Sequence, residues 1–358
     1  MPRFILAESD SFDPYFNLSF EKYLFDNVQE GEFVFFLWQN ERTVVCGRNQ
    51  NVYNECNLTS LKGLGGKLAR RDSGGGAVFH DHGNLNFSFI ARDDLYDVDR
   101  QLKVIEDAVA QFGLPATRTG RNDITILGKK FSGSAFHKAH GTNLHHGTIM
   151  INVDTLLLQS VLNVSHAKLE SNGVESVTSR VLNLNELTGD ITVDSMKIAL
   201  KDAFLHTFKT DRFNDALFVG GKSVVSGTGR TGWTASGSML AMLQALSNDQ
   251  KRFQSDEWIY GTKISFTNEF GKKFDWGEIT FQFEVKGSNI TSARVFSDSL
   301  HPNFITRLEY ELPGRMYIYE DLGNTVDLVA KSFKSNKDEA EEIKIIANDI
   351  KSLIAESI

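Results

Sequence analysis

RRDSGGGAVFHDHGNLNFSF, residues 70–89, places three consecutive glycines between two arginines and an apolar run with the pattern of a strand. Because glycine has no Cβ, this loop can take positive φ angles and point successive backbone N–H groups at phosphate or carboxylate oxygens. Arg70 and Arg71 add positive charge beside it. The stretch therefore predicts an anion-binding loop, and a glycine-rich turn flanked by solvated arginines is the alternative.

Two apolar runs after the glycines predict strands. Residues 77–79 and 84–90 are joined by the polar turn 80–83, so we expect the glycines to open a β-hairpin inside the core. Backbone donors in a buried loop need acceptors, and this favours the anion-binding interpretation over a plain turn.

The composition is that of an ordinary folded protein. The chain has 358 residues, of which 41% are hydrophobic and 23% charged, enough for a sizeable core and a second, smaller domain. The formal net charge of −8 argues against a general nucleic-acid-binding surface. Cys46 and Cys56, the only cysteines, fit neither a disulfide framework nor a metal site.

The hydropathy pattern predicts no membrane segment. No stretch reaches the ~20 consecutive apolar residues of a membrane helix, and the N-terminus lacks the charged and apolar blocks of a signal peptide. We therefore expect a cytoplasmic protein that does not bind membranes.

The remaining patterns mix helices and strands without regular βαβ repeats. An apolar face over residues 14–28 predicts a helix, residues 33–38 and 43–46 predict two buried strands around a polar turn, and further helices are predicted over residues 104–112, over 198–208 and from about residue 338. A polar run near residues 250–262 predicts a domain boundary, beyond which alternating strands begin.

A second candidate centre is GRNDITILGKKFSGSAF, residues 120–136, which predicts a hairpin turning at Gly128 and Lys129. The period of two predicts that Lys130 shares a face with Ser132 and Ser134, opposite Phe131. A lysine near a turn is most often merely solvated. The small polar neighbours nevertheless make Lys130 the candidate.

Several segments resemble, in the same order, the lipoate-protein ligase A family of the biotin ligase and lipoyl transferase superfamily. They are ESDSFDPYFNLSFEKYLF, FFLWQNERTVVCGRNQN, SGGGAVFHDHGNLNFSF, GRNDITILGKKFSGSAF and HHGTIMINVD, within about the first half of the chain. A weaker likeness continues through ESVTSRVLNLNEL, and FDWGEITFQFEVKGSNITSARVFSDSL resembles the accessory domain of the long bacterial ligases.

The resemblance implies an α+β fold, with a biotin/lipoate ligase-like mixed sheet flanked by helices and a small C-terminal α+β accessory domain. It implies a catalytic domain over residues 1–255 and the accessory domain over residues 256–358. The main departure from the family is a Gly/Ser-rich insertion over residues 209–249, interpreted as a lid, a docking loop or a segment without function.

The resemblance also implies roles for individual residues. Lys130 falls on the lysine that contacts both the lipoyl carboxylate and the α-phosphate, so it is the expected catalytic and lipoate-binding residue. Arg71 falls on a phosphate-contacting position. The other expected positions for ATP or lipoyl-AMP are Gly74, Gly75, Gly76, Ala77, Val78, Phe79 and, next to Asn122, Asp123.

Two of these expectations have alternatives that the sequence leaves open. Asp123 is expected either to bind Mg²⁺ or to position the attacking amine, but an aspartate here could simply cap a turn. The lipoyl chain should occupy an apolar tunnel. Trp38 and Phe87 are candidate wall residues, and core packing explains them equally well.

The implied reaction has two steps. Lipoate attacks the α-phosphorus of ATP, which enters with Mg²⁺, to give lipoyl-AMP and pyrophosphate; a protein lysine then attacks the mixed anhydride. The expected acceptors are lipoyl domains of 2-oxoacid dehydrogenase E2 subunits or the glycine cleavage H protein. A monomer without nucleic-acid partners is expected.

The sequence leaves two other functions open. One is a transferase that uses a preformed donor such as lipoyl-AMP, although neither cysteine lies in a motif for thioester transfer. The other is a binding protein without catalysis, which an intact Lys130 and glycine loop disfavour. Biotin as the acid fits the motifs less well than lipoate.

Three further motifs are interpreted as lacking a separate function. Four histidines over residues 137–146 lack zinc-type spacing, and the neighbours His145 and His146 should point to opposite faces of a strand. A GxGxxG string over residues 227–232 and a near P-loop over residues 216–223 lack the βαβ context of a nucleotide site.

Overall fold

The computed structural model describes residues 2–120, 122–163, 180–220, 223–226, 239–333 and 337–358. The chain divides into two compact units. The first comprises Met1–Val45, Cys56–Arg71 and Val78–Ile259, and the second comprises Cys46–Glu55, Asp72–Ala77 and Tyr260–Ile358. The glycine loop thus belongs, by its contacts, to the second unit.

The elements that precede the middle of the chain are, in order, β1 (Arg3–Ser9), α1 (Pro14–Asn27), β2 (Glu32–Trp38), β3 (Thr43–Cys46), α2 (Val52–Glu55), α3 (Leu58–Gly63), β4 (Lys67–Arg70), β5 (Val78–His80), β6 (Asn84–Arg92), α4 (Val98–Ala110), β7 (Thr117–Thr119), β8 (Asp123–Ile126), β9 (Lys129–Ala139) and β10 (Thr142–Met150).

The elements that follow are α5 (Thr155–Val161), α6 (Asn185–Thr188), α7 (Val193–Phe208), β11 (Asp215–Gly220), β12 (Ser223–Ser226), α8 (Met239–Gln254), α9 (Asp256–Tyr260), β13 (Asn268–Phe274), β14 (Gly277–Lys286), β15 (Asn289–Ser297), α10 (Pro302–Glu311), α11 (Tyr319–Ser332) and α12 (Lys337–Ser357).

A mixed sheet of nine strands, in the order β12-β11-β1-β2-β6-β10-β9-β8-β7, forms the centre of the first unit. Apolar side chains leave β2 on both faces: Phe33 and Phe35 pack with α4 and α7, whereas Val34 and Phe36 pack with α1 and α8. Because every residue of β2 is buried, its near-continuous apolar sequence is that of a central strand.

Most predicted elements are confirmed, with shifted ends. Helix α1 begins at Pro14 after the capping side chain of Asp13, and α4 begins at Val98, six residues before the predicted start, because Asp97 caps it. The strands predicted at residues 33–38 and 43–46 are β2 and β3. They lie in different sheets.

The prediction that residues 77–79 and 84–90 form a hairpin is wrong. Strand β5 pairs with β3 in a small sheet of order β4-β3-β5, whereas β6 pairs with β2 and β10 in the large sheet. The polar turn of residues 80–83 therefore connects two sheets. Local alternation predicts that both segments are strands, but the partner of each is set by non-local packing.

The region predicted as an insertion contributes regular structure where it is described. Strand β11 runs parallel to β1 and antiparallel to β12 at one edge of the large sheet, and α8 begins at Met239. Residues 221–222 and 227–238 lie outside the described residues, and with them the GxGxxG string and part of the P-loop-like string.

The second unit has its own core. Strands β13, β14 and β15 form a three-stranded antiparallel sheet, and buried side chains of this sheet, α10, α11 and α12 form one cluster that includes Phe281, Phe283, Phe304 and Ile350. Within the described ranges, no helix is long and apolar enough to cross a lipid bilayer.

Candidate active site

A β-bulge in the hairpin of β8 and β9 sets the direction of Lys130. The hairpin turns through Leu127 and Gly128, both with positive φ, one residue before the predicted turn. Ile124 pairs with Ser132 but Thr125 pairs with Lys130, so Phe131 is an extra residue in β9. The bulge moves Lys130 to the sheet face opposite the one that simple alternation predicts.

The prediction that Lys130 shares a face with Ser132 and Ser134 is therefore wrong. Lys130 pairs with Thr125, and Gly133 pairs with Asp123 two residues earlier on the same strand, so these four residues share one face. Ser134 lies on the other face, where its hydroxyl is hydrogen-bonded to His145. An extra residue in one strand cannot be read from a period of two.

The side chain of Lys130 lies across the strand over Gly133. Its Nζ is 2.6 Å from Oδ1 of Asp123, and both side chains are about one-third exposed, at 36% and 34%. A Cβ at position 133 would come within 2.6 Å of both Cε and Nζ of Lys130. The glycine of the SGSA string thus leaves the space in which the ammonium group sits.

The segment after the undescribed residues 164–179 also contacts Lys130. The Leu182 N–H donates to the Lys130 carbonyl over 2.9 Å, and Val181 forms a parallel bridge with Lys130. The backbone of Lys130 is therefore held between β8 and this segment. The weakly matching string ESVTSRVLNLNEL extends into the described chain only from residue 180.

A buried polar network, which the sequence did not predict, lies on the same sheet face. Trp38 Nε1 donates to Ser88 Oγ over 2.9 Å, Ser88 donates to Oε1 of Glu21, and His146 Nδ1 lies 2.8 Å from the same carboxylate oxygen. Glu21 belongs to α1, and the other three residues belong to β2, β6 and β10. Their polar groups satisfy one another inside an otherwise apolar layer.

The two proposed wall residues of a lipoyl tunnel lie on opposite faces of the sheet. Trp38 joins this network, whereas Phe87 is fully buried in the cluster on the α4 side, in edge contact with His145. One cavity on the Lys130 face could therefore use Trp38 but not Phe87. A signal for the network was present in the sequence as the pair His145-His146, whose side chains alternate between faces.

The paired histidines do point to opposite faces, as predicted. His145 is hydrogen-bonded to Gln101 and Ser134, and complete burial lowers its pKa to about 3, helped by the charge of His146. Across the described parts of the chain, no three His, Cys, Asp or Glu side chains gather as metal ligands would.

Arg71 follows β4 and is buried, with 6% of its surface exposed. Its Nη1 donates to the carbonyl of Val45 over 3.0 Å. Burial of the His80 ring, together with the electrostatic effects of Arg71 and His146, lowers the pKa of His80 to about 3. The His80 ring is therefore neutral near pH 7. Because Arg71 is buried, its positive charge is poorly screened by solvent.

Arg70, the other arginine of the pair, binds a backbone carbonyl. Its guanidinium donates from Nε and Nη2 to the carbonyl of Ile259, over 2.8 and 2.6 Å. These two donors of Arg70 are therefore engaged by the protein backbone in this structure. Arg71 remains the candidate for phosphate.

The strand that follows the glycines offers a backbone edge. Val78 and Phe79 pair with Val45 and Val44 of β3, and β5 is an outer strand of its three-stranded sheet, as far as the described residues show. An outer strand has one row of backbone groups directed away from its neighbour. This arrangement suits the predicted position of the chain along an adenylate.

The three glycines of the loop, which belong to the second unit, differ in backbone conformation and in the space around them. Gly75 has φ +84°, a conformation that L residues rarely adopt, and its N–H donates to the Ser299 carbonyl over 3.2 Å. A Cβ at Gly74 would lie 2.2 Å from the same oxygen, whereas beside Gly76 there is open space. Gly76 is therefore the position where a ligand could approach the chain closely.

Two family models match successive segments of the chain. The family described as lipoyl protein ligase A/B catalytic domain matches residues 13–205, and the family described as bacterial lipoate protein ligase C-terminus matches residues 263–346. Lipoate-protein ligase A of Blochmanniella floridana is 35% identical over 316 residues, which cover 87% of this chain and 88% of that protein.

Two solved structures are similar in fold. That of P. falciparum LipL1 in complex with lipoate has a TM-score of 0.75 and 28% identity, covering 97% of this chain and 100% of that one. That of lipoate-protein ligase A bound with ATP has a TM-score of 0.57 and 25% identity, covering 73% and 99% of the two chains. The mixed α+β fold predicted for this chain is confirmed.

Proposed function

This chain belongs to the lipoyl protein ligase A/B family, and we propose that it is an ATP-dependent ligase that activates lipoate and transfers the lipoyl group to a protein lysine. Its relatives are lipoate-protein ligases, and similar structures hold lipoate and ATP. The proposed domains are a catalytic domain over residues 1–255 and an accessory domain over residues 256–358, which the two family matches at residues 13–205 and 263–346 support.

The observation that carries the proposal is the placement of Lys130. A bulge turns this lysine onto the sheet face that carries the Glu21 and His146 network, Gly133 leaves room for its side chain, and Asp123 anchors its ammonium group at 2.6 Å. A merely solvated lysine at a hairpin would need none of these features. A fixed cation in this position suits a reaction between two anions.

In the first step, a lipoate carboxylate oxygen attacks the α-phosphorus of MgATP, the bond to the bridging β-phosphate oxygen breaks, and pyrophosphate leaves. Lys130 would contact the carboxylate and the α-phosphate and offset the charge that builds on the phosphorus oxygens. Arg71 would contact phosphate, and the chain from Gly74 through Gly75, Gly76, Ala77 and Val78 to Phe79 would lie along the nucleotide.

In the second step, the neutral amine of an acceptor lysine attacks the carbonyl carbon of lipoyl-AMP, the bond between that carbon and the phosphate oxygen breaks, AMP leaves with the bonding electrons, and the nitrogen gives one proton to solvent as the amide forms. The Asp123 carboxylate, which is one-third exposed beside Lys130, would position this amine. The proposed acceptors are lipoyl domains of E2 subunits or the glycine cleavage H protein. We propose a monomeric enzyme acting in the cytoplasm, where its two buried free thiols would stay reduced.

The proposal is tested by lipoate-dependent release of pyrophosphate from MgATP, with octanoate and biotin as competing acids. Lys130→Ala should abolish release, because the cation between the reacting anions is lost. Lys129→Ala is the matched control: this neighbour is exposed and on the other face of the hairpin, so its loss should change the rate less than twofold.

A second assay supplies chemically prepared lipoyl-AMP and an acceptor domain, with lipoylation followed by mass spectrometry. Transfer from lipoyl-AMP without any pyrophosphate release from ATP would identify the transferase that uses a preformed donor. Absence of both activities, with lipoate still bound, would contradict an enzymatic function.

A further inference from the structure

Arg70 and Trp258 bind each other's chain segments. The Trp258 indole Nε1 donates to the backbone carbonyl of Arg70 over 2.8 Å, although 188 residues separate them in sequence. The Arg70 guanidinium in turn donates two hydrogen bonds to the carbonyl of Ile259. We call Arg70, Trp258 and Ile259 the Arg70 clamp.

The clamp fixes the backbone from which Arg71 starts. The carbonyl of Arg70 and the N–H of Arg71 belong to one planar peptide unit, so a hydrogen bond to that carbonyl restrains the orientation of the whole unit. The other end of Arg71 is held by the bond from its Nη1 to the Val45 carbonyl at 3.0 Å. Arg71 is therefore anchored at both its backbone and its guanidinium group.

The donor in the clamp is itself rigidly packed. The guanidinium carbon of Arg252 lies 4.1 Å from the centre of the Trp258 ring system, and the ring of Phe253 meets it edge-on at 6.0 Å. Both residues come from the end of α8. Trp258 is thus a fixed donor, and a small change in its position would be transmitted to the peptide of Arg70.

The clamp has a cost that a simple packing contact would not have. The Arg70 side chain is buried, with only 5% exposed, and two of its charged donors are directed to a neutral carbonyl. Removing a guanidinium from water is unfavourable unless its hydrogen bonds are well formed. An apolar residue could pack the two segments together without that cost. It could not fix the orientation of a carbonyl group, because that requires a hydrogen-bond donor.

The clamp also joins two points where the chain leaves the first unit. The chain passes into the second unit directly after Arg71, toward the glycine loop, and again directly after Ile259. These two exits are tied together within the first unit by the hydrogen bonds of the clamp. The position of Arg71 thus depends on the segment of Trp258 and Ile259, which is distant in sequence from both the glycine loop and Lys130.

We propose that Arg70 and Trp258 are positioning residues for ATP, acting through Arg71. The proposal rests on the proposed function, in which Arg71 contacts phosphate. Loss of the clamp then weakens the binding of the nucleotide and leaves the binding of lipoate unchanged, because Lys130 lies on a different strand.

The test is Trp258→Phe, which removes the indole N–H and keeps an aromatic ring beside Arg252. Its matched control is Trp276→Phe in the second unit, where the indole Nε1 donates to Asp349 over 2.9 Å. By calorimetry, Trp258→Phe should raise the Kd for MgATP about three- to tenfold, the range expected for one hydrogen bond. The control should change it less than twofold, and neither variant should change the Kd for lipoate.

A double-mutant cycle shows whether the effect passes through Arg71. In an Arg71→Ala background, Trp258→Phe should weaken MgATP binding no further, since the group that it positions is gone. Equal effects of Trp258→Phe with and without Arg71 would overturn the proposal. An unchanged Kd for MgATP in Trp258→Phe, or equal weakening in both tryptophan variants, would also overturn it.

Binding needs no turnover, so the outcome is separable from that of the proposed function. A wild-type chain that binds MgATP but releases no pyrophosphate counts against the ligase activity alone, and the cycle still judges the clamp. If the wild-type chain binds no MgATP, lipoyl-AMP replaces it as the calorimetric ligand, with the same expected ratios.

Discussion

Replacing Gly133 by alanine should separate the activity of this protein from its stability. The backbone at Gly133 has no positive φ, so alanine is sterically acceptable to the main chain. The new Cβ would lie 2.6 Å from both Cε and Nζ of Lys130, well inside ordinary van der Waals contact at 3.4 Å or more. The ammonium group must therefore move by about 1 Å.

The size of the effect follows from that displacement. A misplacement of about 1 Å in a catalytic group can cost on the order of 10²-fold in rate, or about 2.7 kcal/mol of transition-state stabilisation. Stability should hardly change, since the clashing atoms are the far end of a flexible and partly exposed side chain. Alanine for glycine even restricts the unfolded chain, which favours folding by about 0.4–1 kcal/mol.

The assay is lipoate-dependent pyrophosphate release, with thermal unfolding measured on the same samples. We expect Gly133→Ala to lose roughly 10–100-fold in kcat/KM without a fall in Tm. Gly63→Ala, where a Cβ meets nothing within 4 Å, is the control and should keep full activity. Unchanged kcat/KM in Gly133→Ala would refute the placement of the Lys130 side chain over Gly133. A lower Tm would refute the claim that the new Cβ displaces only the flexible end of that side chain.

Three further predictions concern the glycine loop, the polar network and pH. Gly74→Ala should lower Tm because its Cβ would lie 2.2 Å from the Ser299 carbonyl, whereas Gly76→Ala, with open space, should keep Tm and raise the KM for MgATP; equal Tm values would contradict this contrast. Ser88→Ala leaves the buried Trp38 N–H without its acceptor and should cost about 1–3 kcal/mol in urea unfolding; a loss below 0.5 kcal/mol would be too small for a buried unpaired donor. Because burial lowers the pKa of both His80 and His145 to about 3, only the unfolded state, with its pKa near 6.5, takes up their protons in mildly acidic solution. Their contribution is therefore complete above pH 6.5 and is lost as the pH falls toward 3, by up to about 1.4 kcal/mol per pH unit for each histidine. His145→Gln should show a shallower loss of unfolding free energy between pH 7 and pH 5 than the wild type, and parallel curves would refute the assignment.

The sequence alone predicted much of the fold because its strongest local signals agree with the tertiary structure. The apolar run of β2 is buried on both faces, the apolar face that starts at Pro14 forms α1, and the hairpin of β8 and β9 forms where the string GRNDITILGKKFSGSAF places it. Capping, periodicity and turn chemistry act over a few residues, so they can be read without knowing the rest of the chain.

Strand pairing was beyond the reach of local signals. Strands β5 and β6 are separated by a short polar turn that is typical of hairpins, yet they belong to different sheets. Val78 pairs with Val45, more than 30 residues away, because the chain between them folds as helices and β4. Pairing depends on which buried faces match, and that is a property of the whole sheet.

The residues of the candidate site could be chosen from the sequence, but their arrangement could not. The glycines, Arg71, Asp123 and Lys130 stand out by type and by resemblance to a family. Only the tertiary structure shows that an extra residue at Phe131 turns Lys130 toward Asp123, and that Arg70 is bound to Ile259. The bulge depends on the register of two paired strands, and the Arg70 clamp depends on two segments that are 189 residues apart. A local sequence pattern therefore predicts neither of them.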